Sequence, residues 1–274
     1  MKRYDFKDIS FLIHVRIDVD DRLENLSTVL EYYHHNCNNI EFIIVNDDIH
    51  PDNKLKPLHE QYPNSKFLFQ QNDGVYHRTR AFNEASKHTD RPVVVAGDTD
   101  VIVHPEYLLR ASNQLIQDET IGSIYPYNGL FIHVSKDLKK KIQQTNCIEF
   151  LPEHIPDPSN RVPYYQTEHI LVAHPHSLGG CIMYNHNNWK KFKGYNPGFV
   201  GWGREDDEIW HRVKTLGYKI ERIMDDRAVA WHLPHDNTVR EKHPYYERNG
   251  EIVQYVLSLT DKQSLENYIK NWNL

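Results

Sequence analysis

Apolar and polar positions alternate along the first half of the chain in two regimes. Short continuous apolar runs occupy residues 11–15 (Phe-Leu-Ile-His-Val), 41–45 (Glu-Phe-Ile-Ile-Val), 66–69 (Lys-Phe-Leu-Phe) and 92–96 (Pro-Val-Val-Val-Ala). Runs of that length read as strands, and the last, continuously apolar and β-branched, as a strand buried on both faces. Between and after them the apolar positions repeat every three to four residues. Leu23, Leu26, Leu30 and Tyr33 define one helical face, with Asp20 or Asp21 as its cap and Glu24 closing a capping box on Asp21. Further helices are expected over 78–87 and from Pro105, where Leu108, Ala111 and Leu115 share a face. Strand, helix and strand in succession predict an α/β fold with a mostly parallel sheet flanked by helices. Polar residues at the carboxyl ends of such strands face the crevice where ligands bind. Those residues are Arg16 and Asp18 after the first run, Asn46, Asp47 and Asp48 after the second, and Gly97-Asp98-Thr99-Asp100 after the fourth.

In the second half the pattern weakens over 121–161, which reads as variable loop and helix near the site. Residues 178–184 (Leu-Gly-Gly-Cys-Ile-Met-Tyr) predict a returning strand, and 189–192 a short helix or turn. Gly201-Trp-Gly-Arg-Glu-Asp-Asp-Glu then leads into a helix with Ile209, Val213 and Leu216 on one face and Gly217 as its left-handed stop. Residues 228–232 predict a last strand, and the remainder an amphipathic helical tail. With no repeat and no linker, the chain reads as one catalytic domain, 1–235, with a C-terminal helical appendage, 236–274.

Composition narrows the function. Hydrophobic residues make up 39% and charged residues 26% of the 274 positions, as in a soluble globular protein. A formal charge of −6 argues against broad nucleic-acid binding, which needs a basic footprint. The first residues, Met-Lys-Arg-Tyr-Asp-Phe-Lys-Asp, form no apolar leader, and no later run reaches membrane-spanning length, so a cytoplasmic protein without a transmembrane segment is expected. Three scattered cysteines form neither a disulfide framework nor a thiolate metal site.

Four stretches carry chemistry. Asp98 and Asp100 are one residue apart; in an extended chain both carboxylates face one side while Thr99 faces away, and together they can hold a hard divalent cation against a diphosphate. A plain turn is the bland alternative. His232 and His235 lie three apart, with Pro234 arguing for a loop over a helix; imidazole beside carboxylate favours Mn²⁺ over Mg²⁺. A satisfied core histidine beside an exposed one explains the pair equally well. Arg16, Arg78 and Arg80 are the cations placed to meet phosphate, Arg80 being the one best explained as surface charge. Helix-start electrostatics accounts for one or two of the acids Glu205 to Glu208. It does not account for Gly201-Trp202-Gly203 before them, where glycines admit close backbone approach and the indole suits a sugar face.

In these blocks, together with residues 76–83 (Tyr-His-Arg-Thr-Arg-Ala-Phe-Asn) and Gly179-Gly180, the chain resembles the GT-A glycosyltransferases from residue 11 to about residue 235. The resemblance is greatest to the β-1,4-galactosyltransferase catalytic domain and to related bacterial and animal galactosyl- and N-acetylgalactosaminyltransferase domains. It implies the GT-A fold and a metal-dependent, inverting transfer of galactose or N-acetylgalactosamine from a UDP-sugar to a glycan or glycolipid acceptor, in bacterial surface polysaccharide synthesis. It implies Mn²⁺, with Mg²⁺ as the alternative, held by Asp100, His232 and His235. Asp98, Arg16, Asp47 or Asp48, and Arg78 would face the nucleotide diphosphate. Asp206 would be the catalytic base, Glu205 the acid beside it, and Trp202 the aromatic wall. An aspartate at its reference pKa of about 4 is a weak base at neutral pH, so its value would lie in position. Arg204 departs from a usual glycine, and residues 121–177 match nothing nameable. A peripheral contact with a membrane surface stays open, as do two other readings: a sugar nucleotidyltransferase, although residues 14–18 lack that class's glycine-rich loop, and a non-catalytic sugar-nucleotide or glycan-binding module, which would have no need of a base.

Overall fold

The computed structural model describes residues 3–235 and 244–272. A seven-stranded sheet runs through it in the order Lys219–Arg222, Ile121–Tyr125, Cys181–Asn185, Val93–Gly97, Ile9–Val15, Glu41–Asp48, Lys66–Gln71. Cys181–Asn185 pairs antiparallel with both its neighbours, and every other pairing is parallel. The four apolar runs of the first half form the parallel half of this sheet. Val93, Val94 and Val95 are fully buried there, each side chain contributing roughly 1.5–3 kcal/mol by leaving water.

Sequence patterning missed the strand Ile121–Tyr125, which lies inside the region expected to be variable. All five of its residues are buried, but Gly122 and Ser123 interrupt the apolar run. Gly122 is where the acid helix closes on the sheet: a Cβ there would stand 2.7 Å from Val213 Cγ1 and 2.8 Å from Tyr218 Cβ. Lys136–Thr145 supplies a helix within that region, capped by Ser135 Oγ accepting from the Leu138 amide.

The expected capping box does not form. Val19 precedes the helix Asp20–Asn36 with no side-chain cap, and Asp20 and Asp21 lie within its first turn. Glu24 instead accepts from Lys139 Nζ and Gln143 Nε2, both at 2.9 Å, joining two helices distant in sequence.

A second, four-stranded sheet, in the order Ile170–His174, Phe131–Val134, Ala230–His232, Val101–Ile102, stands beside the carboxyl ends of the first. Its strand Val101–Ile102 follows Asp100 directly. The Tyr33 hydroxyl accepts from the Val103 amide at 3.0 Å and donates to its carbonyl at 2.9 Å, tying this turn to the first helix. The second sheet thereby brings His232 beside Asp100.

The tail forms the helices Tyr246–Ser258 and Lys262–Ile269, which pack on the acid helix Glu205–Thr215. Asn249 is fully buried; its amide donates to Val200 O at 3.0 Å, so this part of the appendage holds the glycine-tryptophan loop in place. Residues 236–243 of the appendage lie outside the described residues. No described helix is long and apolar enough to cross a membrane.

Candidate active site

A cavity of about 780 Å³ opens where the parallel strands end. At one side stand Asp100, His232 and His235, whose ligand-type atoms all lie within 4.8 Å of one another. His232 Nε2 is 3.5 Å from Asp100 Oδ1, and His235 Nε2 is 3.4 Å from Asp100 Oδ2. One carboxylate and two imidazoles converging in this way suit a divalent cation of the Mn²⁺ type better than Mg²⁺, which demands oxygen ligands and water.

Asp98 belongs to a different group. The chain leaves the strand at Gly97 and turns through Thr99 and Asp100, so the extended geometry expected for the two aspartates does not hold. The Asp98 amide donates to Gly180 O at 2.9 Å, and its carboxylate accepts from Arg78 Nη2 at 2.8 Å. Arg78 is the centre of an acid cluster: Nη1 donates to Glu205 Oε1 at 3.0 Å and lies 3.5 Å from Asp206 Oδ1. The Phe82 ring lies 4.7 Å beneath its guanidinium. One buried cation therefore organises three carboxylates drawn from two separate stretches of chain.

Asp206 stands in the first turn of the acid helix and lines the cavity. Its Oδ1 accepts from the Tyr195 hydroxyl at 3.2 Å. Burial pushes its pKa up against the pull of Arg78, the charges of Glu205 and Asp98 push the same way, and it reaches about 7. The carboxylate is thus a better base at neutral pH than an ordinary aspartate. Gly179 makes room for it, since a Cβ there would lie 2.7 Å from Asp206 Oδ2.

Trp202 lines the cavity and stacks on Tyr246 of the appendage, ring centroids 5.7 Å apart and planes within 15°. Gly203 permits this contact: its φ is +113°, and a Cβ would meet the Tyr246 ring at 2.8 Å. The glycine beside the indole thus makes room for a side chain of the appendage, and it lines the cavity as well. Arg204 has φ +72°, a left-handed conformation that glycine adopts without strain, and its Nε donates to Asp207 at 2.7 Å.

Two sequence expectations, at Asp47 and Asp48, are corrected here, while Arg16 lines the cavity as expected and serves a loop as well. Asp47 is fully buried and does not line the cavity; it accepts from Gln70 Nε2 at 2.8 Å, Asn72 Nδ2 at 3.0 Å and the His77 amide, holding the loop that leads to Arg78. Asp48 lies off the cavity as well and accepts from the Ile49 amide. Arg16 reaches the cavity wall, but its guanidinium donates to the carbonyls of Asp47, Asn72 and Gly74 and so staples that loop. The physical reason is common to all three. Residues at strand ends must satisfy the backbone of the loops they begin, and here those loops took the polar groups. Arg80 is exposed, as its surface reading required.

Sequence reasoning missed His133, Tyr195 and Tyr246. His133 had little signal, since the apolar and polar positions of Phe131-Ile-His-Val134 do not alternate although their burial does. Tyr195 and Tyr246 had none, because their partners are distant in sequence.

A mostly parallel α/β sheet flanked by helices, with an acid-and-histidine group at its carboxyl edge and a buried carboxylate across the cavity, has the architecture of the GT-A class of nucleotide-sugar transferase folds. The chain belongs to glycosyl transferase family 2, which residues 22–168 match, and residues 167–236 match the family described as N-terminal domain of galactosyltransferase. Among curated relatives, β-1,4-galactosyltransferase 5 of Danio rerio is 28% identical over 106 residues, covering 39% of this chain and 26% of the relative. Human β-1,4-galactosyltransferase 5 is 32% identical over 65 residues, covering 24% of this chain and 17% of the relative. The chain thus aligns with about a quarter or less of the length of these relatives. The catalytic domain of Drosophila β1,4-galactosyltransferase 7 in complex with xylobiose superposes with a TM-score of 0.53 at 12% identity, over 92% of this chain and 79% of that one. A mutant of the same enzyme, in complex with manganese, UDP-Gal and xylobiose, gives 0.54 at the same identity and coverage. At that identity the likeness is one of fold.

Proposed function

We propose that this chain is a metal-dependent, inverting glycosyltransferase that moves galactose or N-acetylgalactosamine from a UDP-sugar to a hydroxyl of a glycan or glycolipid. One observation carries the reading: a single cavity holds both a cation-type group, Asp100 with His232 and His235, and a carboxylate whose pKa is raised to about 7, Asp206. A binding module needs the first and has no use for the second. The similarity to β-1,4-galactosyltransferases, and the UDP-Gal and manganese held by one structural neighbour, support the donor and the metal.

When bound, the divalent cation supplies positive charge that offsets the charge developing on the leaving diphosphate. Asp206 accepts the proton of the acceptor hydroxyl as that oxygen attacks the anomeric carbon from the face opposite UDP. A base with a pKa near the working pH is suited to that transfer. The Tyr195 hydroxyl donates to Asp206 Oδ1, while Oδ2 lies against Gly179, which also lines the cavity. Arg78 offsets part of the repulsion that Glu205, Asp98 and Asp206 exert on one another and on a phosphate-bearing donor. Trp202, braced by Tyr246, offers a flat apolar wall to a sugar ring. A cytoplasmic setting and an acceptor in surface polysaccharide synthesis belong to the same proposal. The cysteines Cys37, Cys147 and Cys181, all free, accord with a reducing compartment.

The test is UDP release from a panel of UDP-sugars, with Mn²⁺ and with chelator, for the wild type and Asp206→Asn. The expected result is metal-dependent release from one donor, reduced roughly 10²–10⁴-fold in the variant with UDP binding retained. Near-wild-type turnover by Asp206→Asn would remove the assigned base. UDP binding without turnover on any donor and acceptor would favour the binding module.

A further inference from the structure

We infer that His133 is a positioning residue for the cation group, setting the tautomer and aim of His232; the inference rests on the proposed reading that Asp100, His232 and His235 hold a divalent metal. His133 and His232 lie directly opposite each other in the parallel pairing of Phe131–Val134 with Ala230–His232. Their Nδ1 atoms are 2.7 Å apart, with the rings edge to face at 83°. His232 Nε2 meanwhile points to Asp100 Oδ1, 3.5 Å away. The two nitrogens of His232 are thus divided, one toward His133 and one toward the cation group.

Only one proton fits between two Nδ1 atoms at hydrogen-bond distance. A ring nitrogen that binds a cation must present its lone pair, so a ligating His232 carries its proton on Nδ1 and donates it. His133 must then accept, which requires its own proton on Nε2. With the roles exchanged, His232 in its neutral form carries its proton on Nε2 and closes the lone pair facing Asp100. An acceptor standing where His133 Nδ1 stands stabilises the first arrangement. His133 is half-buried and outside the triad whose ligand atoms converge, so it acts through His232.

The experiment is titration of Mn²⁺ at saturating UDP, followed by loss of the free-ion EPR signal, alongside metal-free thermal melts. His133→Phe keeps a ring of similar size without an acceptor and is expected to weaken Mn²⁺ binding 10- to 100-fold, the usual cost of losing such an outer partner. In His133→Asn, Oδ1 replaces the Nδ1 acceptor, and affinity within about fivefold of wild type is expected. His133→Ala carries the same expectation as His133→Phe should the latter fail to fold. Mn²⁺ affinity within twofold of wild type in a folded Phe or Ala variant overturns the inference, and so does an Asn variant as weak as these. Asp100→Asn separates the two levels. If it too leaves Mn²⁺ affinity unchanged, the metal reading itself fails; if it alone abolishes binding, only the role of His133 fails.

Discussion

Gly179→Ala isolates the position of Asp206 from its chemistry. The backbone at Gly179 is not in the left-handed region, so alanine fits it without torsional strain. The added Cβ would lie 2.7 Å from Asp206 Oδ2 and 3.7 Å from Asp206 Cγ, and among the described residues no other side chain or backbone stands within 4 Å of it. Ordinary contact begins near 3.4 Å, so the carboxylate must retreat by about 0.7 Å while Oδ1 stays tethered to the Tyr195 hydroxyl. A misplacement near 1 Å costs on the order of 10²-fold in rate. A fall in kcat of about 10- to 100-fold is therefore expected, or ~1.4–2.7 kcal/mol at 1.36 kcal/mol per decade. Stability should barely move, because the loss of unfolded-chain freedom, about 0.4–1 kcal/mol, offsets the shift of one carboxylate end. The assay is UDP release from the preferred donor at saturating Mn²⁺, with KM and melting temperature measured on the same preparations. Gly180→Ala is the contrast: its φ is +83° and its Cβ would lie 2.5 Å from Phe131 Cε2, so it should lower the melting temperature. Turnover by Gly179→Ala within twofold of wild type would refute the claim that the Asp206 carboxylate must sit where it does.

Two further expectations concern protons and stability. Because Asp206 acts in its ionised form and its pKa is raised to about 7, kcat/KM should fall as pH drops through 7, and the residual activity of Asp206→Asn should lack that limb. The same shift carries a sign for stability. The folded pKa lies above the unfolded value of about 3.9, so the contribution is complete below pH 4 and is lost as pH rises through 7. Asp206→Asn should accordingly gain melting temperature relative to wild type between pH 5 and pH 8. Arg212→Ala probes the acid helix from its buried side, where Arg212 and Glu208 are both fully buried and paired at 2.8 Å. Leaving Glu208 without its cation should cost about 3–5 kcal/mol, roughly 5–9 °C in melting temperature, and Arg212→Met with Glu208→Leu should recover the part owed to the stranded carboxylate but not that owed to the carbonyls of Phe192 and Gly194, to which Arg212 also donates. A single variant that melts within 2 °C of wild type would show that Glu208 is neutralised by another route.

What the sequence determined by itself was the local order of the fold and the chemistry at its strand ends. The runs at 11–15, 41–45 and 92–96 and the face Leu23, Leu26, Leu30 and Tyr33 are legible because the period of a strand or helix is set by neighbouring residues alone. For the same reason Asp98, Asp100, the acids from Glu205 and the pair His232 and His235 stood out before any coordinates. The strand Ile121–Tyr125 was hidden because Gly122 answers to Val213 and Tyr218, contacts that no local period encodes. Only the tertiary structure decided which polar groups at the strand ends face the cavity and which close the loops, as it did for Asp47, Asp48 and Arg16. It also decided that Arg78 should join Asp98 to Glu205 and Asp206, and that His133 should meet His232 across a sheet. The raised pKa of Asp206 is of the same kind. It arises from burial and from the charges of Glu205 and Asp98 acting against the pull of Arg78, and the sum of those effects depends on distances that exist only once the chain has folded.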